Sequence, residues 1–489
     1  MFELERIANA ISKAQMNEDR KRLLDWLRKE EKSINPSTFR QEASKKSILA
    51  NTGGRILEDP EFVQWQSARN SFLWLHDKVG AGKSVLSAKI IDHLEESHKA
   101  DSHTAVVYFY MTHKEENTQD RVNLTISLML QLFSRRPDTP QALLDLRRHQ
   151  DTGLSPPIME LDKALATALR DFENVYLIID GLDECPNAGD RRPRHSWDER
   201  KAMLKFLTEV QAWNLSNVHI AIISRPEPDI TGILRLLLKE KSSFAIDLST
   251  SPHAGQVKED MLNFIESELQ ATQFDSVSRE QKDVIKIALV ENANGMFQYI
   301  GLQMSSFGRV VTANSVDKVL RNPPSDLDET YDRALHRLSE RDRPRAICVL
   351  RWVVFSGAPL PRSKLLEAIL TDMAYDGDDA ENPNPDYSKP PFDEGDRFDA
   401  SHIKNLFPGL LEEQDWEIDE WGSMVLMSPG RTLRRDPVVV LTHFYLHEYL
   451  TSGRLRDRHD NIRDFALDRS SSGSSKLSAL TCFISECAI

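Results

Sequence analysis

Cysteine is scarce. Cys185, Cys348, Cys482 and Cys487 are too few and too scattered for a disulfide scaffold, and no two stand at zinc-ligand spacing. They are expected to be reduced thiols of an intracellular protein. Long apolar runs are also missing. None approaches the ~20 residues that a membrane-crossing helix needs, so no membrane span is expected. Met1-Phe2-Glu3-Leu4-Glu5 is charged from its third residue, unlike a secretory signal. Positive charge is in deficit: the formal net charge is −14, and no nucleic-acid partner is expected. No internal repeat is visible. What these absences leave is a soluble, cytoplasmic globular chain.

The chain has 489 residues, which suits two to four domains, and 40% of them are hydrophobic. Residues 1–56 read as a short helical lead-in, with Leu23, Leu24 and Leu27 at helical spacing after Ile11. Over 57–250, short β-branched and aromatic runs alternate with helical stretches. The runs are Ser71–Leu75, Thr104–Tyr110, Val175–Ile179, Val218–Ile223 and Phe244–Leu248. Such alternation predicts a parallel sheet covered on both faces. Residues 251–340 read as helical, and 341–460 as helical with strand-like stretches returning at Met424–Met427 and Val438–Leu441. An acidic stretch rich in Pro, Asp and Asn over 371–400 predicts a loop insertion, and the serine-rich 461–489 a flexible tail.

One pattern carries most of the chemistry. Gly80-Ala81-Gly82-Lys83-Ser84 follows the strand Ser71–Leu75 and precedes a helix with Leu86, Ile90 and Leu94 spaced four apart. A triphosphate needs many donors close together. Glycines let the backbone curl so that successive N–H groups converge, and the helix N-terminus adds the positive end of its dipole. Lys83 would reach the β- and γ-phosphates, Ser84 would ligate Mg²⁺, and Val85 would complete the cradle at the start of the helix. A Gly-x-Gly-Lys-Ser/Thr core arises by chance about 0.02 times in a chain of this length, so the pattern is specific. One position departs from it. Asp77 stands where the full pattern has a glycine. Asp tolerates left-handed backbone better than most residues, and its carboxylate is expected to point away from the phosphates.

A second constellation follows an apolar strand. Val175–Ile179 leads into Asp180, then Gly181-Leu182-Asp183-Glu184. An Asp at the C-terminal end of such a strand is placed for the metal side of a phosphate site, and Asp183 or Glu184 could position an attacking water. Strand Val218–Ile223 delivers Ser224 and Arg225 to the same edge, where Arg225 could sense a γ-phosphate.

These motifs resemble those of NACHT NTPases. Asp180-Gly181-Leu182-Asp183-Glu184 is similar to their extended Walker B motif, and Ile223-Ser224-Arg225-Pro226 to their sensor segment. Asn292–Phe297, Pro323–Tyr331, Leu350-Arg351-Trp352 and Thr442-His443-Phe444 resemble the helical and winged-helix regions of fungal NACHT proteins related to the N-terminal region of nephrocystin. Leu24–Leu27 and Pro60–Trp65 resemble their lead-in. The resemblance covers roughly residues 20–455. It implies an α/β fold: a P-loop NTPase parallel sheet with helices on both faces, followed by an all-helical domain and a winged-helix domain. It also implies a STAND-class signalling switch, closed with ADP and open and self-associating with ATP. His443 is the position whose counterpart touches the bound diphosphate.

Three functions follow as expectations. The first is a switch that binds ATP or ADP with Mg²⁺ (GTP not excluded) and hydrolyses slowly at Asp180, Asp183 and Glu184, with a role in fungal self/non-self recognition or innate-immunity-like signalling. The second is a non-hydrolysing, ADP-bound scaffold that works through protein partners not named by the sequence. The third is a ring-forming motor ATPase, against which the Asp-Gly-Leu-Asp-Glu spacing argues.

Overall fold

The computed structural model describes most residues within 18–31, 40–44, 52–186, 198–307, 323–375 and 403–467. The serine-rich tail, and the acidic insertion from 376 to 400, lie outside the described residues. The chain forms two compact units: the first comprises Met1–Phe264 with Glu417–Val425, and the second Ile265–Trp416 with Leu426–Ile489.

In the first unit, five strands form one sheet: β1 (Ser71–His76), β2 (Thr104–Tyr110), β3 (Asn174–Asp180), β4 (Val218–Ser224) and β5 (Ser243–Asp247). Their order is β2-β3-β4-β1-β5, and every pairing is parallel. All five predicted strands are present, with ends shifted by a residue or so. Strands β2 and β4 are buried along their whole length, and β3 along all but its first residue. This explains their near-continuous apolar sequence, because helices cover both faces.

One face is made by Phe72, Trp74, Val107, Phe109, Leu177, Ile179, Ile220 and Ile222. They share a core with α3 (Arg121–Ser134), α4 (Ile158–Arg170), α5 (Glu199–Ala212) and α6 (Pro228–Leu237). Leu23, Leu24 and Leu27 of the lead-in join the same core. Each large side chain buried there stabilises the fold by ~1.5–3 kcal/mol. The opposite face carries α1 (Pro60–Ser67) and α2 (Lys83–Ser97). Asp59 caps α1 by accepting from the Glu61 and Phe62 amides, with Pro60 in the first turn. Trp65 of α1 donates to the Ile220 carbonyl at 2.9 Å and packs edge-on to Tyr176.

The outer edge of β2 is protected. Gln131 of α3 bonds both backbone groups of Tyr108, accepting from its N–H at 3.0 Å and donating to its carbonyl at 2.8 Å. Arg135 donates to the Val106 carbonyl at 3.1 Å. Side chains thus occupy edge groups that could pair with another strand. Arg40 pairs with Asp92 and Glu95 of α2 and donates to the Tyr108 hydroxyl.

Helix α7 (His253–Glu268) begins in the first unit and ends in the second. The second unit continues with α8 (Arg279–Ala293), α9 (Phe297–Ser306), α10 (Leu327–His336), α11 (Arg343–Phe355), α12 (Arg362–Tyr375) and α13 (Phe444–Thr451). Ser278 and Gln281 form a reciprocal capping box at the start of α8. Helix α12 corrects one expectation: the segment expected to be a loop from 371 onward is helical as far as Tyr375. Where a winged-helix region was expected, Leu360–Pro361, Val438–Leu441 and Leu411–Gln414 form a small antiparallel sheet beside α11 and α12. Buried Tyr331, Tyr449 and Trp352 fill this unit. The Tyr449 hydroxyl bonds the Asp332 carboxylate, and Gln298 donates to the Tyr331 hydroxyl at 2.5 Å.

Candidate nucleotide site

The strand order places β4 between β1 and β3, so three central strands deliver their following residues to one edge of the sheet. In open α/β sheets this C-terminal edge is where ligands bind. His76, Asp180 and Ser224 mark the ends of β1, β3 and β4.

After β1 the chain turns through Asp77 to Gly82 into α2. Gly80 and Gly82 have φ of 73° and 79°, left-handed values that glycine adopts without a Cβ penalty. Gly82 caps α2, and its carbonyl accepts from the Val85 amide at 3.0 Å. Ala81 is buried between the two glycines. The loop therefore has the backbone that its sequence implied. Asp77 does not take up the left-handed backbone that a glycine there would allow. Its buried carboxylate accepts from the Lys78 amide at 2.6 Å, and burial raises its pKa. Its carbonyl and that of Lys78 accept from the Lys83 ammonium at 2.9 and 2.7 Å. Burial lowers the Lys83 pKa, while the charges of Asp183 and Asp77 act to raise it.

Ser84 is exposed at the start of α2, close enough to Asp180 for its hydroxyl to act against the rise of the Asp180 pKa. Asp180 is 3% exposed, and its Oδ2 has no hydrogen-bond partner. Burial drives its pKa up to about 7, despite the Ser84 hydroxyl, and the charges of Glu184 and Asp183 add to the rise. A buried carboxylate oxygen left without a donor is costly and calls for a partner. The donor set at this point is a hydroxyl and a carboxylate, both hard oxygens, and that is the chemistry Mg²⁺ takes.

Beyond Asp180 the acidic turn is fixed from several sides. Gly181 has φ of 79°, and a Cβ there would meet the Met111 carbonyl oxygen at 2.3 Å. Asp183 is buried and accepts from Arg225 twice, from its backbone N–H at 2.9 Å and its Nε at 2.6 Å. The Asp183 pKa is lowered: burial opposes ionisation, but the charges of Arg225 and Lys83 and the bonds from Arg225 prevail. Glu184 is held by His113, whose backbone N–H and Nδ1 both lie near Oε2, at 3.0 and 2.9 Å. Arg200 of α5 donates to the Asp183 carbonyl at 2.6 Å and the Cys185 carbonyl at 2.7 Å.

The sheet thus gathers Gly80, Ala81, Gly82, Lys83, Ser84, Val85, Asp180, Asp183, Glu184 and Arg225 at one edge. His443 is elsewhere in the chain: it immediately precedes α13, in the second unit. His113 and Arg200 were not legible in the sequence. Neither belongs to a motif, and only the packing of β2 and α5 against the acidic turn brings them in.

Comparison with known proteins agrees with this geometry. The family described as nephrocystin 3, N-terminal, matches residues 51–225, a span that runs from the lead-in to Arg225. Vegetative incompatibility protein HET-E-1 of Podospora anserina is 23% identical over 355 residues, covering 70% of this chain and 24% of that protein. Both matches support the resemblance to fungal NACHT-type P-loop NTPases, which residues 51–225 carry. A second relative, azaphilone pigments biosynthesis cluster protein L of Monascus ruber, is 26% identical over 149 residues. That match covers 30% of this chain and 26% of the relative. The chain spans about a quarter of the length of these curated relatives. Among solved structures, Drosophila ORC bound to DNA overlaps 81% of this chain and 91% of its own, at 12% identity and a TM-score of 0.33. So loose an overlap carries no argument, and the fold rests on the strand order itself. Among the described residues, no helix is long and apolar enough to cross a membrane.

Proposed function

We propose that this chain is a nucleotide-dependent signalling switch that binds ATP and ADP with Mg²⁺, with GTP as the alternative triphosphate. The observation that carries the reading is Asp180, a buried carboxylate with an unpartnered oxygen, lying against Ser84 at the start of the P-loop helix. In this reading the phosphates lie along Gly80–Val85, with the Lys83 ammonium released from the Asp77 and Lys78 carbonyls to the phosphate oxygens. Ser84 and Asp180 hold the metal, which when bound draws charge from the phosphate oxygens. Arg225, held in place by Asp183, faces the terminal phosphate. Glu184 is the more exposed of the two acids and takes the water-positioning role. Hydrolysis is slow and resets the switch, and the triphosphate state favours self-association because ATP binds the open form more tightly. By likeness to a vegetative incompatibility protein, the output is a fungal recognition signal passed to protein partners.

Binding is tested by titrating purified protein with a fluorescent ADP and ATP analogue, for wild type and Lys83→Ala. The variant is expected to lose most of its affinity, and unchanged affinity refutes the assignment. Mass in solution with ADP and with ATP then tests self-association.

A second reading is favoured by one observation. Both acids after Asp180 already hold partners, Asp183 on Arg225 and Glu184 on His113. A site fixed in this way suits a scaffold that keeps ADP as a structural ligand. Single-turnover measurement separates the two, because full retention of ATP over hours supports the scaffold.

A further inference from the structure

Glu184 carries the water-positioning role in the reading above, and the inference below rests on that reading. Its carboxylate is not oriented by its own turn. Its side chain is 29% exposed, while that of His113 is 10% exposed. Two donors of His113 converge on the single oxygen Oε2, one from the backbone and one from the ring. With Glu184 ionised, the ring must carry its proton on Nδ1 to make this bond. The carboxylate is thereby clamped at one oxygen and its plane is set.

The clamp continues beyond His113. Met111 donates to the Asp180 carbonyl at 2.8 Å, so the chain after β2 also grips the start of the acidic turn. Thr112 bonds Thr118 through both its backbone groups, and Gln119 donates to the Thr112 carbonyl at 2.6 Å. Thr118 and Gln119 are fully buried. Asp120 caps α3 by accepting from the Asn123 amide, and Asn123 reaches back to the Asn117 carbonyl. From the other side, the Cys185 thiol lies 3.7 Å from the Gln119 carbonyl. A continuous set of short polar contacts therefore runs from Glu184 through His113 to the N-terminus of α3.

We propose that His113 is a positioning residue for Glu184, and that it ties the state of the nucleotide site to α3. A triphosphate that shifts the Glu184 carboxylate pulls on the two His113 bonds, and the segment after β2 moves with it. Binding of a triphosphate and the setting of α3 are coupled through this one residue, and the coupling is reciprocal.

The test uses the full chain and three variants: Lys83→Ala, His113→Ala and His113→Asn. Asn retains a side-chain N–H close to the place of Nδ1, whereas Ala removes it. Melting temperatures first establish that each variant folds. In single-turnover hydrolysis of Mg·ATP, His113→Ala is expected to be slower by about tenfold to a hundredfold, the usual effect of a misplaced reacting group. ADP affinity stays near that of the wild type, and His113→Asn recovers most of the rate. Equal rates for His113→Ala and wild type overturn the proposal. So does an equal loss in the Ala and Asn variants, which marks a purely structural role. Should the wild type bind ATP without turning it over, the hydrolytic reading fails but His113 is still judged, on the preference for ATP over ADP. His113→Ala is then expected to shrink that preference and His113→Asn to restore it, and no change in either refutes the coupling. Should Lys83→Ala bind as wild type, the nucleotide reading falls and this inference falls with it.

Discussion

Asp183 and Arg225 lock the C-terminal edge of the sheet by two hydrogen bonds, from the Arg225 backbone N–H at 2.9 Å and its Nε at 2.6 Å. They follow adjacent strands, β3 and β4, and both are largely buried. Removing one partner of a buried pair leaves the other charge unmatched. Arg225→Ala is therefore expected to destabilise the fold by about 3 kcal/mol, and the double variant Asp183→Asn/Arg225→Ala by less than the sum of the single changes. Denaturant unfolding of the four proteins measures this. Simple additivity would show that the two residues act independently.

Gly181 offers a comparison with an internal control. A Cβ at Gly181 would lie 2.3 Å from the Met111 carbonyl oxygen, whereas one at Gly153 would meet nothing within 4 Å, although both residues have positive φ. Gly153→Ala is expected to cost only about 1 kcal/mol, from the left-handed backbone. Gly181→Ala must also push β2 away from the acidic turn, so its cost is larger. It is also expected to reduce nucleotide binding, because Asp180 moves with the turn. Equal melting temperatures for the two variants would count against the close approach.

Glu31 makes stability depend on pH. Burial raises its pKa from 4.5 to about 7, against the opposing bond to Ser127 and the charge of Arg28. A carboxyl with a raised folded pKa holds its proton in the fold. Its favourable contribution is complete below pH 4.5, the unfolded value, and is lost as pH rises to about 7. The loss amounts to roughly 3 kcal/mol at most. Glu31→Gln does not titrate. It is expected to match the wild type at pH 4 and to exceed it in stability at pH 8, read from urea midpoints. A variant no more stable than wild type at pH 8 would disprove the account.

Gln131 guards the edge of β2 by bonding both backbone groups of Tyr108. Gln131→Ala exposes a pairable N–H and carbonyl, and is expected to cost about 1–3 kcal/mol. It should also raise concentration-dependent association in light scattering. A variant as monodisperse as the wild type at high concentration would show that Arg135 suffices to protect the edge.

Much of the site was legible because its parts are local in sequence. Gly80 to Ser84 must lie together because they are consecutive, and the curl follows from Gly80 and Gly82. The apolar runs of β2, β3 and β4 announced burial on both faces. Asp77 was less legible, since its backbone follows from how Lys83 folds back on its carbonyl rather than from residue type.

The sequence by itself determined the glycine loop Gly80–Ser84, the Asp180–Glu184 turn and the parallel sheet between them, because each depends on neighbouring residues or on short-range hydrophobic pattern. Only the tertiary structure decided which acid serves which partner. Asp183 and Glu184 are chemically interchangeable in a string of letters. Packing gave Asp183 to Arg225, whose strand lies beside β3, and Glu184 to His113, 71 positions earlier in the chain. The physical reason is that a charged side chain takes its role from its burial and its nearest donor, and both are set by contacts between distant segments.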